Sequence, residues 1–342
     1  MNAAAPSPAR GRLAAGALAV ALALLFSVPL WTKSEYLLAL GASFGMFAVL
    51  AGGLNLVYGY AGLLSFAQVA FFGIGGYAAA LLATELKWSV WAGAAAGGGI
   101  AMLAGLVIGY TSLRLSRHAF AIVSLSFALL CAIVARDWVS LTRGPAGIPG
   151  LPVPDLQLWG GVRWRLSGPA DFYVLLVGYA VAAHALLWTL VTSRLGRAMR
   201  AIRLNEPLAR SQGIDPLRYR LLAVGLSALL TGVAGGFFVF YLTLVDPSVF
   251  DFYYTETMLI MVILGGPGSF WGVLGASAVL SALPDLLRFT TDLRMVLYGA
   301  ILIAAMLSFP GGAGGWLQRR RLARWRRPRV PGSTGPTGST GA

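Results

Sequence analysis

The sequence predicts an all-α polytopic membrane protein of about ten transmembrane segments. Three observations lead there. Of 342 residues, 58% are hydrophobic and only 11% charged, with a mean hydropathy of +0.75; a soluble domain carries about 25% charge. Apolar windows recur that reach or approach the ~20 residues needed to cross ~30 Å of hydrocarbon. The arginines are also segregated by loop rather than spread along the chain, as expected when Lys and Arg are retained on the cytoplasmic side.

Taken in order, the predicted spans are 13–31, 36–58, 65–82, 88–110, 120–135, 172–192, 221–245, 253–264, 269–283 and 295–309. The first follows Arg10 and Arg12 and has the outline of a signal peptide. It is long for one, however, and ends in Pro29-Leu-Trp-Thr-Lys33 without a small-x-small cleavage site, so a retained span is expected. The eighth is too short for a simple crossing. It is either a tilted or extended span in a hairpin with the ninth, or a re-entrant element lining a cavity. Ten crossings, or eight plus a re-entrant hairpin, both place the two termini on one side.

The charges agree with termini inside. Eighteen of the 26 basic residues then fall on the cytoplasmic face with only Glu206 and Asp215 beside them, and ten of the 12 acidic residues fall outside. The two faces carry +16 and −2, within the net +14 of the chain. Such segregation points to membrane topology rather than to a nucleic-acid partner. The expected organisation is a cytoplasmic N-terminus (1–12), a transmembrane domain (13–309) with an external loop at 136–171 and a cytoplasmic loop at 193–220, and a basic cytoplasmic tail (310–342). The external loop contains Gly144-Pro-Ala-Gly-Ile-Pro-Gly-Leu-Pro152 with Trp159 and Trp164, and proline there opposes a regular helix. A compact lid or interface loop is expected. In the tail, Arg324-Trp-Arg-Arg327 should lie along the anionic inner leaflet, and the Gly, Ser, Thr and Pro-rich end should be disordered.

Catalytic signatures are missing from the sequence. His118 and His184 lack ligand-like spacing to Cys, Asp or another His, and no G-x-x-x-x-G-K-[ST] occurs. Neither a metal nor a cofactor is expected. Cys131, the single cysteine, lies in an apolar run and reads as a small core residue. No span carries a central ionisable group, which a proton- or sodium-coupled carrier commonly places at mid-membrane despite a cost of ~2.5–3.5 kcal/mol. Backbone carbonyls also coordinate sodium, so a stand-alone carrier or channel for a small polar solute stays open as the alternative.

The loop 193–220 is the positive signal. In Ser193-Arg-Leu-Gly-Arg-Ala-Met-Arg-Ala-Ile-Arg-Leu204, Leu195, Met199 and Ile202 recur at helical spacing on one face, with Arg197, Arg200 and Arg203 around the remainder. Asn205-Glu206-Pro207 is a helix restart, a polar cap followed by proline near the first position, and Gly213 is a suitable stop. Two short helices on the cytoplasmic face are predicted. A loop that merely marked topology would need no such start and stop signals.

Four segments also resemble one family, in its order. Glu206-x-x-Ala209-x-x-x-Gly213-Ile214 resembles the coupling loop of ABC importer permeases. Gly59-Tyr-Ala-Gly-Leu-Leu-Ser-Phe-Ala-Gln-Val-Ala-Phe-Phe-Gly-Ile-Gly-Gly-Tyr77 and Leu264-Gly-Gly-Pro-Gly-Ser-Phe-Trp-Gly-Val-Leu-Gly-Ala276 resemble the two signatures of branched-chain amino acid permeases. Thr142-Arg-Gly-Pro-Ala-Gly-Ile-Pro-Gly-Leu151 is similar to the external loop that marks the LivM-type subunit over its LivH-type partner. Gln68 departs from the family, whose members often have Gly or His there; the arginine cluster and the tail are further departures.

The resemblance implies a bacterial inner-membrane transport subunit rather than an enzyme. It would pair with a LivH-type permease, two cytoplasmic ATPases and an extracytoplasmic binding protein, and carry branched-chain or related amino acids. It would meet the ATPases through Arg197, Arg200, Arg203, Glu206, Ala209 and Gly213. Gly59, Gly62, Gly73, Gly75 and Gly76 permit close helix contact or a broken helix. Asn55, Ser65, Gln68, Gly73, Gly266 and Ser269 are the expected translocation-path residues, with His184 a further intramembrane polar group. Ser65-Phe66 and Ser269-Phe270 echo one another after glycine-rich runs, suggesting two related halves.

Overall fold

The computed structural model describes residues 25–29, 31–32, 34–114, 117–157, 163–166, 168–286, 299 and 303. Segments 1–12 and 310–342, and most of 13–31 and 295–309, lie outside these residues. The described chain is a helical bundle with ten principal helices: α1 (Glu35–Leu54), α2 (Gln68–Thr84), α3 (Val90–Ser112), α4 (Arg117–Asp137), α5 (Pro169–Thr192), α6 (Arg194–Leu204), α7 (Glu206–Ser211), α8 (Pro216–Leu242), α9 (Phe252–Gly265) and α10 (Phe270–Leu286). Among the described residues, six segments are long and apolar enough to cross a membrane, including Pro247–Gly265, while α2 and α10 are shorter apolar helices.

The eight predicted spans from 36–58 to 269–283 fall on α1–α5 and α8–α10 with ends within five residues, while 13–31 and 295–309 lie almost wholly outside the described residues; one difference is informative. The third begins at Gln68, not at position 65. α1 first widens into a π-helical turn over Asn55–Tyr60. Gly62, at φ +75°, then ends it, since only glycine adopts that conformation without strain. The freed amides of Phe66 and Ala67 donate to the hydroxyls of Ser124 (3.0 Å) and Ser65 (3.3 Å). Broken backbone at membrane depth needs such partners.

α8 is the central helix, 78% buried over its apolar window, and α4 the most peripheral at 22%. Around α8 pack α2 and α3, in contact through glycine: Gly75 and Gly97 lie backbone to backbone, and Gly75 abuts Gly232. Apolar attraction between helices is weak in lipid, so close van der Waals approach at small residues holds them. The outward faces of α3 and α4 carry exposed Leu103, Val107, Ile122 and Ile133, as a membrane-facing surface should.

The connections sort into two ends. At one end Arg203 reaches Gly59 and Pro267; this basic end holds the π-turn, the α6–α7 segment and the 266–268 turn. At the other, β1 (Ile148–Pro149) pairs antiparallel with β4 (Leu244–Val245), Ile148 opposite Val245. The same end holds a ribbon of β2 (Asp155–Gln157) and β3 (Arg163–Arg165), whose Asp155 carbonyl accepts from the Trp91 indole at 3.1 Å. Among the described residues between α4 and α5, the α-helical turn Val139–Thr142 precedes the proline run. α9 and the 3₁₀ turn before it (Pro247–Phe250) lead from the β4 end to the basic end. Standard rises give them about 29 Å together, enough to run the length of the bundle.

Candidate functional site

The basic end is built from helix termini. Ser193 breaks the chain after α5, and its hydroxyl accepts from the Leu195 amide at 3.1 Å to cap α6. α6 buries Gly196, Ala198, Met199 and Ile202. Leu195, expected on this face, is instead exposed. The reason is the sharp fold-back: a side chain at 196 would overlap the Val191 backbone, so a small residue takes the inward position. Asn205 Oδ1 accepts from Leu208 N at 3.1 Å and restarts the helix as α7. Gly213, at φ +77°, ends it, its amide donating to Arg210 O at 2.9 Å while Ile214 N donates to Ala209 O at 3.1 Å. No atom lies near enough to meet a Cβ at 213, so glycine is required there for conformation alone. Both predicted short helices are present.

Glu206 and three arginines fasten this segment to the bundle. Glu206 bonds to Arg220 of α8 through one carboxylate oxygen (2.7 Å) and to Arg210 through the other (2.8 Å). The Arg220 side chain is only 7% exposed. Arg197 donates to Thr192 O (3.1 Å) and Arg200 to Val191 O (2.6 Å), with the Arg200 guanidinium over the Tyr60 ring. Arg203 donates to Gly59 O and to Pro267 O (3.2 Å). These acceptors lie at or beside the C-terminal ends of α5, the π-turn and α9, where carbonyls lack helical partners and the dipole favours a cation. Ala209 is buried.

Two leucines were not singled out by the sequence reading. Leu204 is 85% exposed and Leu208 59%. Leu204 lines an open groove of about 590 Å³ together with Arg203, Asn205, Glu206, Pro207 and Arg210. The i, i+4 spacing of the two leucines was visible in the sequence, but Leu195 made a more regular helical face with Met199 and Ile202.

The six expected path residues separate into groups. Asn55 Oδ1 accepts from Gly268 N at 2.8 Å and its Nδ2 donates to Ser269 O at 3.4 Å, joining the two glycine-rich segments. Gly266, at φ +90°, turns the chain into α10, and Ser269 Oγ accepts from Gly272 N at 3.2 Å. Gln68 is held in the interior by Ser227 (2.9 Å) and Thr231 of α8. Ser65 is buried beside the α1–α2 break. Gly73 lies apart against the Phe250 ring, toward the other end. Beside Asn55, His184 and Phe270 is a cavity of about 10 Å³, space for one water. Its wall is largely satisfied: His184 Nδ1 donates to Ala180 O at 2.8 Å. Among the described residues, no group of three His, Cys, Asp or Glu is placed to hold a metal.

Apolar helices, interior polar groups bonded mostly within the chain, and a structured basic segment at one end define a polytopic membrane protein. Residues 36–306 match the family described as branched-chain amino acid transport system / permease component, and the chain belongs to that family. It is 30% identical over 285 residues to the high-affinity branched-chain amino acid transport system permease protein LivM of Salmonella typhimurium, covering 78% of this chain and 67% of that protein. LivM of Escherichia coli gives the same figures. The permease protein LivH of Salmonella typhimurium is 26% identical over 284 residues, covering 78% and 90%. No solved structure matches the chain.

Proposed function

We propose that this chain is one membrane subunit of an ATP-driven importer in the bacterial inner membrane, carrying leucine, isoleucine, valine or a related amino acid. Its basic end is cytoplasmic and its ten crossings leave both termini inside. α6–α7 receives an ATPase, with a second such ATPase on a LivH-type partner permease, and a soluble binding protein delivers solute at the opposite end. Alternating access follows: ATP-driven closure of the ATPases displaces α6–α7, and the spans rock about a path between the two permeases.

One observation carries this reading. α6–α7 is fastened to the bundle through Arg203 and the Glu206–Arg220 pair, yet turns Leu204 and Leu208 outward, with Leu204 lining a groove. A rigid lever with an apolar contact surface has that form. Burying one leucine contributes about 1.5–3 kcal/mol, and each 1.4 kcal/mol is a factor of ten in affinity. Leu204→Asp with Leu208→Asp should therefore weaken ATPase binding at least about a hundredfold in detergent-purified complexes while leaving the permease monodisperse. Unchanged ATPase capture would refute the docking surface. ATP-independent leucine, isoleucine or valine transport by the chain alone in vesicles would favour a secondary carrier or channel.

A further inference from the structure

Arg203 differs from the other cations of its segment. Arg197 and Arg200 bond to the end of the neighbouring helix α5, whereas Arg203 reaches two segments distant in sequence. Its stem packs beneath Gly62, where a Cβ would meet Arg203 Cγ at 3.0 Å and Cβ at 3.3 Å. Its Nη1 donates both to Gly59 O, in the break between α1 and α2, and to Pro267 O, in the turn between α9 and α10. A Cβ on Gly268 would lie 2.7 Å from the same nitrogen. Asn55 closes the junction by accepting from Gly268 N at 2.8 Å.

The choice of residue has a physical reason. Carbonyls at broken helix ends lack intrahelical donors, and a guanidinium offers several donors in a fixed fork without losing its charge. The joined segments contain Gly62, Gly266 and Gly268 at φ +75°, +90° and +84°. Chain breaks of this kind absorb a change of direction more readily than continuous helix. One side chain thus ties the α6–α7 segment to two places where the helices of the bundle are interrupted.

We propose that Arg203 is a positioning residue that transmits displacement of α6–α7 to the Gly59–Gly62 and Gly266–Gly268 breaks, so that solute release at the basic end stays linked to the ATPase cycle. This rests on the importer reading, and the test separates the two. Complexes of the full chain with its partner permease and ATPases are reconstituted, and radiolabelled leucine, isoleucine and valine uptake is measured per ATP hydrolysed. In Arg203→Ala complexes the solute moved per ATP hydrolysed should fall about tenfold or more, whatever the absolute hydrolysis rate. Arg203→Lys, which keeps a cationic donor, should fall between Ala and wild type. A structural loss alone would lower uptake and hydrolysis together and leave their ratio unchanged. A wild-type ratio in Arg203→Ala overturns the proposal, as does loss of the ATPases from Arg203→Ala with a wild-type ratio in Arg203→Lys. Failure of the unaltered chain to bind any ATPase overturns the importer reading itself.

Discussion

Gly75→Val is expected to abolish a stable bundle, and Gly75→Ala to lower its stability by about 3 kcal/mol, the upper range for overpacking. At Gly75 the obstacle to any Cβ is the Gly232 backbone of α8, and Gly97 of α3 has the Gly75 carbonyl against it. On the far side, a Cβ at Gly232 would lie 2.6 Å from Ala101 Cβ and 3.0 Å from Gly98 Cα. Backbone cannot swing aside as a flexible side chain does. Relief would require moving α2, α3 and α8 apart, along with the aromatic contacts nearby, including Phe72 with Phe238 at 5.5 Å. A net stability of about 5–15 kcal/mol leaves little reserve for that. Gly99 is the control, since nothing lies within 4 Å of its position and Gly→Ala within a helix is favourable by about 0.5–1 kcal/mol. Thermal unfolding of the purified chain in detergent should rank Gly99→Ala at or above wild type and Gly75→Ala well below it. Equal midpoints for the two variants would contradict the packing described here.

Glu206→Ala should be the most damaging change in the α6–α7 segment, at about 3 kcal/mol, because it strands a buried guanidinium. Arg220 is 7% exposed, Glu206 is its carboxylate partner at 2.7 Å, and its Nε has no partner among the described residues. The Arg210 contact matters less, being an exposed i, i+4 pair of the kind that contributes about 0.3–0.5 kcal/mol. Replacing both members, as in Glu206→Gln with Arg220→Met, removes the uncompensated charge and should recover most of the loss. Unfolding midpoints of the two single variants and the double decide the matter. If the single losses simply add in the double, the pair is not coupled as the geometry requires.

Much of this was legible in the sequence for identifiable reasons. Apolar windows and flanking charges locate α1, α3, α5 and α8 closely, because hydrocarbon imposes length and polarity on every crossing. The start and stop of α7 could be read from Asn205, Pro207 and Gly213, since capping is local chemistry. Direction was not readable. Composition marks Arg203 as basic but cannot tell that it turns back onto Gly59 O and Pro267 O, because those acceptors come from segments far away in sequence. The inward turn of Gly196 in place of Leu195 depends on how tightly α6 folds against α5. The break ahead of Gln68 depends on the positive φ of Gly62 and on a hydroxyl supplied by Ser124. Of the expected path residues, Asn55, Ser65, Gly266 and Ser269 gather at the helix breaks, whereas Gly73 lies along α2 toward the other end.

The orientation proposed for the α6–α7 segment is cytoplasmic, with an ATPase docked on it. It is tested most directly by a single cysteine at Leu208→Cys, in a chain with Cys131→Ala, probed with a membrane-impermeant maleimide on whole cells and on inverted vesicles. Labelling is expected in inverted vesicles only, with protection there when the ATPases are bound. Labelling from outside intact cells would contradict it.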